Sequence, residues 1–243
     1  MLLALVILGA WQWLGSSSEV QALTVSTPVD VLKWIGEWMA GEEGHGWDDL
    51  AVTMQEAALG WVLGVVVGVV LAVILASSKW LQLFGAPFVS ILNALPKIAL
   101  APLFILIFGA SLESKVYFVA AGIFFITFYN VFGGIRSIDP LLVRNARVLG
   151  ASRLWLAREV YTPAIVGWLM TSLRLTSAWA LTAAVVAEYL GAVEGMGYVV
   201  GAGQQNSQVE QVLGGVLVVA VVALVIDRIL VLIEGHFARW RKS

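Results

Sequence analysis

The chain has 243 residues, of which 60% are hydrophobic and 12% charged, with a mean hydropathy of +0.91. Soluble domains run near ~45–50% apolar and ~25% charged, so this composition excludes a disordered chain and a large soluble enzyme, whose apolar volume would lack polar cover. Fourteen basic against sixteen acidic residues give a net charge of −2, which excludes nucleic-acid binding driven by bulk charge, and the absence of cysteine removes disulfides, zinc–thiolate sites and iron–sulfur clusters. An integral membrane protein remains.

A helix crossing ~30 Å of hydrocarbon needs about 20 mostly apolar residues. Six stretches approach or meet this: Met1 to Leu14, Leu50 to Ala76, Phe84 to Phe108, Val116 to Ile135, Val166 to Leu190, and Val212 to Ile233. The first is short, but it lacks the basic lead and small-residue cleavage site of a secretory signal, so it reads as a genuine span. Glycines inside long aliphatic runs, without strand-type alternation, argue against a barrel. The expected fold is an all-α integral membrane protein with six transmembrane helices. Residues 1–49 hold the first helix and an amphipathic segment, 50–235 a five-helix core, and 236–243 a basic tail.

After the first span, the segment from Gly15 to Asp49 has Lys33 as its one basic residue among acidic ones. From Pro28 it reads as a short amphipathic helix. Val31, Leu32, Ile35, Trp38 and Met39 share its apolar face, and Trp34, Trp38 and Trp47 suit the lipid interface. In the second span, Gly60, Gly64 and Gly68 form two overlapping G-x-x-x-G units that let backbones approach closely, either inside the subunit or across a dimer seam. Gln55 and Glu56, at its start, read as reaching the outer interface.

The third span contains Pro87, Pro96 and Pro102 and is expected to break near Pro96–Lys97, with freed carbonyls facing protein or water. A charge near the bilayer centre costs roughly 2.5–3.5 kcal/mol on insertion scales. Lys97, with Asn93 one turn before it, therefore lines a pathway or gate, or pairs with a buried acid such as Glu188.

The connection following the fourth span carries Arg136, Arg144, Arg147, Arg153 and Arg158 against Asp139 and Glu159, whereas the loop Gly191 to Gln211 has no Lys or Arg. The positive-inside rule places this connection and both termini in the cytoplasm, with the acidic and neutral loops outside. Within it, Leu142, Ala146 and Leu149 fall on one face of a short helix that Gly150 ends. Ser152 is placed to cap a second short helix and Pro163 to open the fifth span. Small residues and arginines facing outward make this loop, 136–165, a docking knob. In the fifth span Arg174 is within snorkelling reach of the inner face, while Glu188 and Tyr189 lie at the outer end, where Glu188 could brace the outer loop or line the pathway. The glycine-rich stretch Gly191 to Gly203 is expected to dip back as a loop.

None of the five lysines follows a glycine, so a Walker-type phosphate cradle is absent, and His45 and His236, at opposite ends, form no H-E-x-x-H or triad arrangement. The pattern Ala146…Gly150-Ala-Ser-Arg, followed by Pro163 and Arg174-Leu, resembles the EAA loop of bacterial ABC importer permeases, and most nearly the nitrate/sulfonate/taurine branch. Leu95-Pro-Lys-Ile-Ala-Leu-Ala-Pro-Leu, Gly133-Gly-Ile-Arg-Ser-Ile-Asp-Pro140, Ala187-Glu-Tyr-Leu-Gly and Gly195-Met-Gly-Tyr198 extend the likeness over Leu50 to Trp240. It departs at Arg144-Asn145-Ala146, where the family carries Glu-Ala-Ala, so the contact made by that Glu does not transfer.

The resemblance implies a type I importer in the bacterial inner membrane. Its parts would be a permease dimer built from two copies of this chain, two cytoplasmic ATPase subunits that hold ATP and Mg, and an extracytoplasmic solute-binding protein. This chain would bind no cofactor or metal of its own and would not be an enzyme. Its ATPase-coupling residues would be Arg144, Asn145, Ala146, Arg147, Gly150, Ala151, Ser152, Arg153 and Pro163, and its pathway or gate residues Asn93, Lys97, Arg174, Glu188 and Tyr189. The cargo would be a small anion such as a sulfonate, taurine or nitrate, or a pyrimidine-type vitamin precursor as in related permeases. An ion-coupled secondary transporter, the rival class, would need paired broken helices in an inverted repeat, and the sequence offers one broken span.

Overall fold

The structure, a computed structural model, describes residues 2–16, 26–41 and 46–239, and among them it is helical with no strand. In chain order the helices are α1 (Leu2–Ser16), α2 (Pro28–Ala40), α3 (Gly46–Ala76), α4 (Lys79–Asn93), α5 (Ala101–Phe108), α6 (Leu112–Arg136), α7 (Pro140–Val148), α8 (Arg153–Leu156), α9 (Thr162–Gly191), α10 (Met196–Gln205) and α11 (Val209–Arg239).

Among the described residues, four helical stretches are long and apolar enough to cross a bilayer: Gly46–Ala76, Leu112–Arg136, Arg153–Gly191 and Val209–Leu232. A fifth crossing is available from the pair Lys79–Asn93 and Lys97–Phe108, bent by 84°. Among the described residues this makes up to five crossings; the sixth expected span, α1, has 15 described residues, which rise about 22 Å at ~1.5 Å per residue against a core of ~30 Å.

The break in the third span falls where the prolines put it. Helix α4 ends at Asn93, a 3₁₀ turn covers Lys97–Leu100, and α5 restarts with Pro102 in its first turn, where no backbone N–H is required. Pro87 stands inside α4.

The core is a slab of three long helices. Along α3, Gly60 lies against Val119, Gly64 against Ala120 and Ile123, and Gly68 against Thr127 and Phe128, so α3 and α6 run parallel in close contact. The glycines thus face α6 of the same chain. Helix α9 crosses antiparallel to both, as Trp179 fills the space over Gly122 near the middle of α6 and Trp168 that over Gly134 near its end. Val119, Ile123, Leu181 and Ala184 seal the centre. These contacts place the arginine-rich connection at the opposite end of the slab from Glu188.

Helix α2 is amphipathic, started by Thr27, whose hydroxyl oxygen accepts from the Asp30 N–H, and ended by Gly41 at φ +79°. Its buried residues are Val31, Trp34 and Trp38, while Leu32 and Met39 are exposed. The apolar face is therefore rotated from the expected one: Trp34 packs over Gly214 of α11, and Trp38 against Gly46 and Trp47. Bare glycine surfaces leave room for indole rings, which carries those tryptophans off the lipid interface and into the bundle.

Two further expectations change. The glycine-rich stretch after the fifth span is not a loop, since Met196–Gln205 forms α10 and packs against α9 and α11. The second short helix of the arginine connection is not separate from the fifth span either. Helix α8 continues through a π turn, Ala157–Tyr161, into α9 without leaving helical dihedrals. Pro163 supplies no N–H, and the wide turn before it absorbs that loss, with the Thr162 hydroxyl donating to the Ala157 carbonyl at 2.8 Å. Helices α3 and α11 run unbroken across positions 49/50 and 235/236, and residues 240–243 of the basic tail lie outside the described residues.

Candidate functional site

At the arginine end, α7 projects from the slab as a short knob. The Asp139 carboxylate accepts from the Leu141 N–H at 2.8 Å and Pro140 takes the first helical position. The helix stops at Leu149–Gly150. Gly150 has φ +90°, the Gly150 N–H donates to the Arg147 carbonyl at 3.0 Å, and the Ala151 N–H donates to the Ala146 carbonyl at 2.9 Å. These bonds satisfy carbonyls that the helix end would otherwise orphan. Ser152 then caps α8 by accepting from the Trp155 N–H at 3.1 Å. A Cβ at Gly150 would meet nothing within 4 Å.

The knob and α8 enclose a groove of about 930 Å³ lined by Leu142, Ala146, Gly150, Ala151, Ser152 and Trp155, among others. Around it stand apolar side chains left in the open, with Val148 and Leu149 86% and 87% exposed and Leu154 also exposed. Arg144, Asn145, Arg147 and Arg153 are exposed alongside them. Open apolar side chains ringed by guanidinium groups at the end of a membrane slab have the composition of a surface that contacts another protein or lipid headgroups.

The five residues singled out for a pathway separate into three places. At the bend, the Lys97 ammonium donates to the Asn93 carbonyl at 3.2 Å and lies 5.4 Å from the Phe125 ring centroid. Phe125 is midway along α6, so Lys97 sits at membrane depth, half-buried. Between α9 and α11, the Arg174 guanidinium pairs with Asp227 at 3.5 Å. At the far end, Tyr189 bonds through its hydroxyl to Gln204 of α10, and Glu188 is 1% exposed.

A pair between Lys97 and Glu188 is not formed, because the 84° bend turns the lysine toward α6 while Glu188 is held at the end of α9 by other partners. Glu188 Oε2 accepts from the Gly197 N–H at 2.7 Å and from the Thr53 hydroxyl at 3.0 Å. The Thr53 oxygen in turn accepts from the Met196 N–H at 2.8 Å, and Asp49 accepts from the Gly195 N–H at 2.7 Å. Three consecutive N–H groups at the start of α10 are thus met by side chains of α3 and α9, where a helix N-terminus has no partners of its own. Gly195, at φ +100°, and Gly197 press so closely on Glu188 that a Cβ at either would overlap it.

Among the described residues there is a buried ion pair that sequence reasoning missed. Lys115, in the first turn of α6, donates to Glu56 Oε1 at 2.6 Å, with the two side chains 4% and 0% exposed. Glu56 does not reach the outer interface. The α3–α6 contact that begins at Gly60 draws it inward onto Lys115. The available signal was two opposite charges near the starts of two spans that enter from the same face.

Residues 64–242 match the family described as the binding-protein-dependent transport system inner membrane component, and the chain belongs to that family. It is the permease subunit of a type I ABC importer, a multi-pass membrane protein of the sulfonate/taurine branch. It is 34% identical over 243 residues, covering all of this chain and 87% of its relative, to a Bacillus subtilis (strain 168) protein provisionally named aliphatic sulfonates transport permease protein SsuC. Over 206 residues, 85% of this chain and 77% of the relative, it is 35% identical to the riboflavin transport system permease protein RibX of Chloroflexus aurantiacus. The taurine transport system permease protein TauC of Escherichia coli (strain K12) is 24% identical over 97% of this chain and 86% of its own length. In fold it is similar to a chain of an amino acid ABC transporter crystallised with histidines, with TM-score 0.63 and 17% identity over 87% of this chain and 97% of that one. A chain of the inward-facing MetNI methionine ABC transporter gives TM-score 0.56 at 22% identity, over 79% and 92%.

Proposed function

We propose that the chain forms half of an ATP-driven import pathway for a small sulfonate such as taurine. The single observation that carries the coupling half of this reading is the exposed α7–Gly150–α8 knob, joined without a break through the π turn to α9. Two cytoplasmic ABC ATPases, holding ATP and Mg, would each grip one such knob. Their closure on ATP would move α8 and α9 as one rod and rock the slab between outward- and inward-open arrangements. The arginine-rich end is then cytoplasmic, as are both termini once α1 completes a short sixth crossing, and the α10 end faces an extracytoplasmic solute-binding protein. Because one slab has open faces on α3, α4 and α11, a second copy related by a two-fold axis would close the pathway.

A sulfonate is supported by the names of relatives that match along nearly the whole chain. Lys97, the cation at the bend, would supply positive potential where such an anion sheds water. The riboflavin relative, at 35% identity, favours a heterocyclic vitamin as the second reading. Uptake into proteoliposomes carrying the permease, its ATPase and its binding protein tests both. The first predicts taurine or alkanesulfonate accumulation that riboflavin does not compete with, and accumulation of riboflavin alone overturns it.

A further inference from the structure

The cluster that fastens α10 holds three ionisable side chains with almost no water access. Glu56 is 0%, Glu188 1% and Lys115 3% exposed. Thr53 and Glu56 are one turn apart on the same face of α3, and Thr53 bonds Glu188, so the two carboxyl groups are brought together over that face. Around them stand Asp49 of α3, which accepts from the Gly195 N–H, and Glu194 of the segment leading into α10. Lys115 of α6 supplies the ammonium that pairs with Glu56.

Fully ionised, the three buried groups carry one excess negative charge, and an uncompensated charge in a dry interior is strongly disfavoured. The hydrogen-bond pattern is also incomplete. Glu56 Oε1 is bound by Lys115 and Glu188 Oε2 by Gly197 and Thr53, while Glu56 Oε2 and Glu188 Oε1 have no hydrogen-bond partner among the described residues. Two buried acceptors left without a donor satisfy neither, whereas a single hydrogen shared between the two carboxyl groups would satisfy both. Glu56 already has its cation, so it stays the acceptor. A Cβ on Gly195 would lie 2.5 Å from Glu188 Oε1, so that glycine backs the oxygen where water would otherwise reach it.

From this juxtaposition we infer that Glu56, Lys115 and Glu188 form a proton-binding site. Glu188 is a neutral acid that donates through Oε1 to Glu56 Oε2, and the triad as a whole is uncharged. Proton uptake balances as Glu188 carboxylate plus one proton from solvent when the site closes, with no other group changing state. The neutral triad is what lets α10 be fastened by carboxyl oxygens inside a membrane slab. The inference rests on this cluster alone and is independent of the cargo and of the ATPase.

Infrared difference spectroscopy of the intact importer in nanodiscs, in H2O and D2O, reads the proton directly. The wild type should show the carbonyl stretch of a protonated carboxylic acid that shifts on deuteration, and Glu188→Gln should lack that band. The glutamine keeps each contact, since its amide N–H donates to Glu56 and its oxygen accepts from Gly197 and Thr53, so E188Q should insert and melt as the wild type does. A spectrum in which E188Q loses no acid band overturns the inference. So does an E188Q protein that fails to insert or melts well below the wild type, because a neutral isostere cannot harm a neutral acid's site.

Discussion

Substituting Gly64 tests how the slab is held together. An added Cβ would lie 2.6 Å from the Ala120 carbonyl oxygen and 2.8 Å from Ile123 Cβ. The first neighbour is backbone, so no rotamer change relieves the overlap, and α3 must back away from α6. Ordinary overpacking costs ~1–3 kcal/mol. Gly64→Leu, which adds three carbons beyond that Cβ, should lie at or above the top of this range, against a helix-propensity gain of no more than about 1 kcal/mol. Gly36 in α2 is the control, because a Cβ there meets nothing within 4 Å; Gly36→Ala should stabilise by about 0.5–1 kcal/mol. Thermal unfolding of the detergent-purified single chain, followed by size-exclusion chromatography, reads both. Gly64→Leu should lower the melting temperature of the subunit itself. A Gly64→Leu chain that melts as the wild type does but no longer pairs with a second copy would refute it and place the glycines at a seam between subunits.

Gly150→Val should leave insertion and yield intact, because a Cβ there meets open space and the strain of a β-branched residue at φ +90° is about 1–2 kcal/mol; uptake and ATPase stimulation should be lost, and normal uptake would remove the knob from the mechanism. Lys97→Met should cost about 1–2 kcal/mol of stability, the scale of a partly desolvated cation–π contact, while uptake falls about tenfold or more, the scale of one lost charge-assisted bond to an anion. A stable, fully active K97M would show that the lysine has no pathway role. Arg174→Gln should change the melting temperature little, since its pair with Asp227 is half-exposed and such pairs are worth ~0–1 kcal/mol; a loss of several kcal/mol, read by denaturant titration, would contradict that.

The helical slab was legible because hydrophobic length and glycine or proline placement act locally. Pro96 breaks a span wherever that span lies, and Gly150 ends α7 through its own dihedral. What did not follow from local pattern was which face turns inward. The expected face of α2 included Leu32 and Met39, but Gly214 on a helix far along the chain leaves the space that Trp34 fills. The polar cluster was harder still, since Asp49, Thr53, Glu56 and Lys115 acquire meaning only when α3, α6 and α10 meet. Glycine-rich text between Gly191 and Gly203 reads as loop by propensity, yet those glycines admit the close contacts with Glu188, Tyr189 and α11 that make α10 worth forming.

In the proposed function, ATP-driven work enters the importer through the α7–α8 knob. ATPase turnover of the reconstituted importer, measured with and without loaded binding protein, tests it most directly when wild type and Gly150→Val are compared at equal assembly. The wild type should show hydrolysis that rises with loaded binding protein, and Gly150→Val should hydrolyse ATP without that rise. An undiminished response to loaded binding protein in Gly150→Val would contradict the claim.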